Sequence, residues 1–401
     1  MTSAGWHVVG GYLRVLQAPR TPRLVAAMFV GRLPNGMFPL GIVFVLRQSS
    51  GSYAVAGAAL AALMLGTTCS APLRGRAVDR WGQSRTLVPL VATQAVAMAG
   101  FLLAMRAGAG ALTVIPLVAT VGATSSTLGG SMRQTWPMLV RSAGDLPTAY
   151  ALQALLEDLI AVTGPLIASA LLAAASPMAI LAVAEIAALT GTTVFATAKA
   201  SRAVTGRQAR STSPLGALGT PGMRTLALTL LAAGTVVGML YIAVPAFSTR
   251  SAGTLLAIMS ASSMVSGLVY GGRTWTSGAD RRYLWLAGLF AAAAAPLALA
   301  ETATRLAVLL ALVGVAYAPR MMSAYLLLDD LAPADSLAEA YTWLVSATAG
   351  GTALGSAIAG PITEQVGPRC ALAGAGAVAF AGFVLVIARR RTLGPADTGG
   401  E

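Results

Sequence analysis

Residues 74–85 read Arg74-Gly75-Arg76-Ala77-Val78-Asp79-Arg80-Trp81-Gly82-Gln83-Ser84-Arg85. These charges stand between two apolar runs, 52–73 and 86–106. A helix rises ~1.5 Å per residue, so about 20 apolar residues cross the hydrocarbon core of a bilayer. Both flanking runs have that length, and a chain inside lipid must satisfy its backbone within its own helix. The stretch therefore reads as a basic turn joining two membrane-spanning helices. Its glycines permit a tight turn and a close helix approach.

The rest of the sequence follows the same pattern. Of 401 residues, 56% are hydrophobic and 10% charged, and the mean hydropathy is +0.74. A soluble domain carries about 25% charged residues, so lipid is the solvent for most of this chain. The net charge is +13, yet the basic residues fall between apolar runs and form no aromatic-interleaved stripe. That distribution suits loops beside anionic lipid and argues against nucleic-acid binding. Cys69 and Cys370 give neither a disulfide framework nor a metal spacing. The single histidine, His7, precedes the first span, which excludes histidine catalysis or metal ligation in the core. No Walker-type loop is present, so ATP does not drive this chain directly. Lys199 is the only lysine beside many arginines, a bias that suggests a bacterial source.

Twelve spans are expected: 24–46, 52–73, 86–106, 111–132, 148–174, 177–198, 224–247, 253–272, 283–300, 304–328, 336–362 and 369–388. Charge placement tests that count. With the N-terminus inside, 21 basic residues fall in cytoplasmic segments, Arg74, Arg133, Arg141, Arg207, Arg210 and Arg320 among them, and five fall outside. Strict alternation of this kind is the positive-inside pattern, and it puts both termini in the cytoplasm. The polar stretch 199–223 reads as a linker between an N-terminal half, 1–198, and a C-terminal half, 224–401. Matching features recur in order across the halves: Gly36 with Gly238, Arg76 with Arg273, Arg133 with Arg320, and Gly164 with Gly351. Two six-span halves in parallel repeat are one of the transporter architectures.

The motif at Gly75–Arg85 resembles the loop 2–3 signature of the major facilitator superfamily, in which a glycine, an Asp-Arg pair and a second glycine recur at this spacing. The resemblance implies an all-α integral membrane fold of twelve helices in two pseudo-symmetric halves. It also implies a cytoplasmic latch between the halves made by Gly75, Asp79, Arg80, Gly82 and Arg85. Gln83 and Ser84 stand where bases are usual. Thr163-Gly164-Pro165 resembles the Gly-Pro signature of the efflux branch, which implies a kink at the domain interface. Arg32 to Met37, with Pro34 and Gly36, is similar to a first-span segment of small drug exporters. The span-4 arginine signature of proton-coupled exporters is absent.

Ionisable side chains inside spans are functional candidates, since each is costly there, by ~3 kcal/mol. Arg32, eight residues into span 1, and Glu157 and Asp158, nine to ten residues into span 5, reach similar depths. They are expected to form a buried pair or triad acting as a protonatable switch. Glu157 is seven residues before Gly164 and shares its helix stripe. Glu185 in span 6 reads as a structural buried charge with a partner. Arg320 is expected to serve the latch in preference to a substrate. Candidates for the central cavity are Asn35, Phe38, Tyr241, Tyr317, Arg320 and Trp343.

The sequence thus reads as a secondary transporter, not an enzyme, exporting small amphipathic or hydrophobic molecules across the plasma membrane by proton antiport. The expected partners are a small-molecule substrate, protons and the lipid bilayer, with no cofactor, no metal and a monomeric state. Two rivals are an uptake carrier with Arg32 as counter-charge, and a lipid scramblase or intramembrane enzyme.

Overall fold

The computed structural model describes residues 12–140, 142–204, 219–332 and 337–393, and among these it is all helix, with no strand. The twelve spans are α1 (Thr21–Ser50), α2 (Tyr53–Trp81), α3 (Gln83–Arg106), α4 (Ala111–Leu139), α5 (Leu146–Ala174), α6 (Pro177–Thr197), α7 (Pro221–Phe247), α8 (Ala252–Gly271), α9 (Ala279–Leu299), α10 (Ala303–Leu331), α11 (Leu337–Gln365) and α12 (Pro368–Ala388). Eleven are long and apolar enough to cross a membrane. The twelfth, α11, has 29 residues and misses on apolarity because its middle is glycine, threonine and serine. That composition follows from packing. The α11 backbone lies directly on α7, where a Cβ at Gly351 would meet the backbone of Leu231 and Thr235. Small residues are what let two helix backbones approach this closely.

Two spans are broken, each for a local reason. In α1 the ladder loses a rung after Leu33, because Pro34 has no N–H to give Val30 O; Leu33 N, besides its regular bond to Phe29 O, donates to Val30 O. In α4 the break falls at Ser125–Thr127, between segments Ala111–Thr124 and Leu128–Leu139. Hydroxyl side chains compete with the helix for backbone partners, and Ser125 turns to an extended ψ of 138°.

Among the described residues the halves interlock at one end of the bundle only. A Cβ on Gly57 (α2) would strike the Ser356 carbonyl, and one on Gly360 (α11) would lie 2.6 Å from the Tyr53 carbonyl oxygen. Gly253 (α8) sits equally close to the Pro165 carbonyl of α5. Among the described residues all three hydrogen bonds that cross between the halves lie here: Ser52 Oγ to Glu364 Oε2 at 2.6 Å, Ala54 N to Glu364 Oε2 at 2.8 Å, and Gly253 N to Ser169 Oγ at 3.0 Å. At the opposite end stand the arginine-rich connections, where the halves separate around a cavity.

Several sequence expectations change. The Gly75–Arg85 segment is not a loop, since α2 continues to Trp81 and the chain reverses at Gly82 alone, with φ 81°. Gly75 makes no close approach; a Cβ there would meet nothing within 4 Å. Arg320 is not at a helix end, because α10 runs on to Leu331, and Arg74 likewise lies within α2. The expected linker begins later than residue 199, for Lys199–Ala203 is a short helix whose Ser201 Oγ donates to Gln83 Oε1 at 3.0 Å on the N-terminal half. His7, Arg141 and the linker centre with Arg207 and Arg210 lie outside the described residues.

Candidate functional site: a cavity between the halves

The cavity, about 640 Å³, is lined from both halves. From α1, α2 and α4 come Arg32, Asn35, Phe38, Arg74 and Ser125–Thr127; from α7, α10 and α11 come Tyr241, Tyr317, Tyr325, Thr348 and Thr352. Its size falls within the 300–1,000 Å³ typical of small-molecule sites. Of the cavity candidates read from sequence, Asn35, Phe38, Tyr241 and Tyr317 line it. Arg320 and Trp343 do not. Trp343 Nε1 donates instead to Glu339 Oε1 at 3.3 Å, one turn away on α11.

Arg32 and Glu157 meet. Arg32 Nη1 is 3.3 Å from Glu157 Oε1, with the side chains 25% and 33% exposed. Gln153 Nε2 donates to the same oxygen at 3.1 Å and to Gly129 O at 2.9 Å, while Trp136 Nε1 donates to Gln153 Oε1 at 3.0 Å. The pair is thus tied to the lower segment of α4. Gly129 lies beneath it, and a Cβ there would displace the tip of the Arg32 side chain and lie 3.1 Å from Glu157 Oε1. Glu157 also borders a smaller pocket that Leu256, Met259 and Ser260 of α8 complete.

Asp158 does not join the pair. It is exposed, and among the described residues no hydrogen bond or ion pair reaches it. Successive helix residues point about 100° apart, so Glu157 and Asp158 cannot both face Arg32. Gly164 is also displaced from its expected role. It packs on Gly36 of α1, within its own half, where a Cβ would lie 2.6 Å from Gly36 Cα. Of the pair Gly164 and Pro165, it is Pro165 that meets the other half, its carbonyl lying against Gly253.

The sequence reading missed the Arg74 site. Arg74 is 6% exposed. Its Nη1 donates to the Ser125 carbonyl and to Ser125 Oγ, and its Nη2 to Thr67 O at 2.6 Å. The break in α4 frees the Ser125 carbonyl beside the cavity, and a guanidinium from α2 caps it. The sequence signal was present, since Thr124-Ser125-Ser126-Thr127 interrupts an apolar run and Arg74 directly follows one.

Arg320, 2% exposed, has a comparable task in the C-terminal half. Its Nη2 donates to Thr229 O at 2.8 Å and Tyr283 OH at 3.2 Å, and its guanidinium lies over the Tyr283 and Phe290 rings at 5.4 and 5.3 Å. That is a brace within one half, with stacking worth ~2 kcal/mol when desolvated. Glu185, 6% exposed, has a neutral partner, with Gln94 Nε2 at 3.0 and 3.3 Å from its two oxygens.

The residues expected to latch the halves make no cross-half bond in this state. Gln134 Nε2 reaches Asp79 Oδ1 at 3.5 Å, within the same half, and among the described residues no ion pair reaches Asp79. Arg80 and Arg85 are exposed. Gln83 is fully buried; its amide donates to Ser131 O at 3.0 Å and Gln134 Oε1 at 3.1 Å, and accepts from Thr135 Oγ1 and Ser201 Oγ. A base could not occupy that site without leaving a charge unpaired. Among the described residues there is no cluster of three or more His, Cys, Asp or Glu fit to hold a metal ion.

No protein-family model matches the chain, and comparison with curated proteins found no match. Solved structures do match. The chain resembles a variant of the nucleoside transporter NupG (14% identity, TM-score 0.76, 92% of this chain and 98% of that one). It resembles a bacterial homologue of the iron transporter ferroportin in an inward-facing state (15%, TM-score 0.69, 92% and 98%). It also resembles the human organic anion transporter TETRAN (16%, TM-score 0.60, 92% and 100%). At such identities the likeness establishes the fold. The chain has the major facilitator fold, and it is a multi-pass integral membrane protein.

Proposed function

We propose that this chain is a secondary active transporter that exports small amphipathic or hydrophobic molecules across a bacterial plasma membrane by alternating access, with protons as the counter-ion. The observation that carries the reading is the cavity between two halves that interlock at one end only. A site reached from one side and sealed from the other is one state of an alternating-access cycle. Arginine-rich connections belong on the cytoplasmic side, which puts both termini there and makes the cavity load from the cell interior. Its wall of Phe38, Met64, Tyr241, Tyr317 and Tyr325 suits an apolar body. Glu157 is the proton acceptor in this reading: protonation ends its attraction to Arg32 and loosens α5 from α1. The protein acts as a monomer and needs no cofactor.

A second reading, proton-coupled uptake of a small anionic metabolite, is favoured by the two arginines in the cavity wall. The same experiment tests both. In inverted vesicles with an acidified lumen, and so an outward-directed proton gradient, an exporter accumulates substrate in the lumen as protons leave, and Glu157→Gln abolishes the pH dependence of that flux. Accumulation in right-side-out vesicles instead would overturn export in favour of uptake.

A further inference from the structure

The charges of the cavity carry an inference about its cargo. The lining holds Arg32 and Arg74 and neither an aspartate nor a glutamate. Glu157 approaches Arg32 from the neighbouring smaller pocket. Together these three groups leave one positive charge uncompensated. Three buried polar atoms on the lining residues also lack a hydrogen-bond partner: Arg32 Nε, Arg74 Nε and Thr127 Oγ1. A buried donor without a partner is destabilising, and all three belong to one wall, formed by α1, α2 and the break in α4. The segment Leu128–Leu139 begins at the same place. The first N–H groups of a helix lack intrahelical partners, and its dipole there favours negative charge. Across the cavity stand Tyr241, Tyr317 and Tyr325.

We infer that the cargo is an amphipathic organic anion. Its carboxylate, sulfonate or phosphate group binds among Arg32, Arg74 and Thr127, and its apolar body lies against the three tyrosines. This deepens the transport reading and rests on it. One uncompensated positive charge matches a monoanion. With Glu157 protonated the residual charge becomes two, which matches a dianion.

The test is thermal unfolding of the purified full-length protein with four probes of one shape: benzoate, phenyl phosphate, benzamide and benzylamine. Benzoate and phenyl phosphate at saturating concentration are expected to raise the melting temperature by about 2–4 °C, and benzamide and benzylamine to leave it unchanged. A response to one anion alone assigns the class of head group and supports the inference. Arg32→Gln abolishes the shift, and because Arg32 is a quarter exposed that variant is expected to fold. Glu157→Gln raises affinity for phenyl phosphate relative to benzoate by about tenfold, or ~1.4 kcal/mol, which a merely structural role for the pair would not do. Benzamide or benzylamine matching the anions, or no shift with either anion, would overturn the inference. In both cases proton-driven flux of neutral or cationic amphipaths in vesicles would keep the transport reading. Anion binding without flux of any probe would sink transport instead.

Discussion

At the interlocked end of the bundle, backbone meets backbone: Gly57 lies on the Ser356 carbonyl, Gly360 on Tyr53, and Gly253 on Pro165. At the arginine-rich end, Arg80 and Arg85 face outward and Asp79 bonds only within its own half. The first end therefore closes by shape, through contacts that salt scarcely affects. The second end carries the groups for closure by charge, which ionic strength screens. An alternating-access protein that closes its two ends by different physics has two separate handles on one cycle.

The largest expected effect breaks the shape-closed end. Gly57→Val puts a branched side chain into the Ser356 backbone, which cannot yield as a flexible side chain would. Transport falls by about 100-fold with membrane insertion intact. A cysteine replacing Ser356, in a background lacking Cys69 and Cys370, then reacts with an impermeant maleimide from that side. Wild-type protection of that cysteine would show that the glycine contact is dispensable.

Next comes the charge-closed end. Asp79→Asn is expected to lower transport by about tenfold while leaving the thermal stability of the present state unchanged, since Asp79 makes no ion pair among the described residues. Equal loss of stability and transport would mean that Asp79 acts through folding.

A smaller effect concerns Glu364, the carboxylate that bridges the halves at the shape-closed end. Glu364, beyond the apolar stretch of α11, is held below the ordinary carboxylate range by the Ser52 hydroxyl first, then by the Ala54 N–H, with Arg47 adding attraction. A depressed acid stabilises the closed end at pH above the ordinary carboxylate value, and that contribution is lost as pH falls through the depressed value. Access of an acid-active pyridyl disulfide to a cysteine at the closed end should therefore rise on acidification below about pH 4. Glu364→Gln should flatten that dependence, and an unchanged profile in the variant would assign the effect elsewhere. The smallest effect is that of Ser52→Ala, which removes both the N-cap of α2 and one bond to Glu364. It is expected to reduce stability by about 1 kcal/mol, read as a small drop in melting temperature.

The sequence revealed the spans and the depth of Arg32 and Glu157, because length and rise per residue translate directly into position in a bilayer. The limits of that translation show in two arginines. Arg74 and Arg320 looked like loop charges, since each follows an apolar run, yet α2 and α10 continue as helix beyond them. Hydropathy locates the lipid-facing stretch of a helix and says little about where the helix ends. The missing triad member illustrates another limit. Asp158 shares its depth with Glu157, but depth is one coordinate and azimuth another, and only the second excludes it from Arg32. The shape-closed end was hardest to read, because glycines that touch across halves resemble those that serve packing within a half, as Gly164 does against Gly36.

The bond from Arg74 to Ser125 also has a consequence for biosynthesis. A chain enters the membrane in order, so the guanidinium of α2 arrives two spans before the Ser125 carbonyl that it caps. Arg320 meets no such delay, as Thr229 and Tyr283 precede it. The N-terminal half therefore passes through a nascent stage in which the Arg74 guanidinium has only the Thr67 carbonyl of its own helix as a partner, and that stage ends only when α4 has been inserted. A chain truncated after α3 would remain in it, exposing to cellular quality control a signal that the C-terminal half never displays.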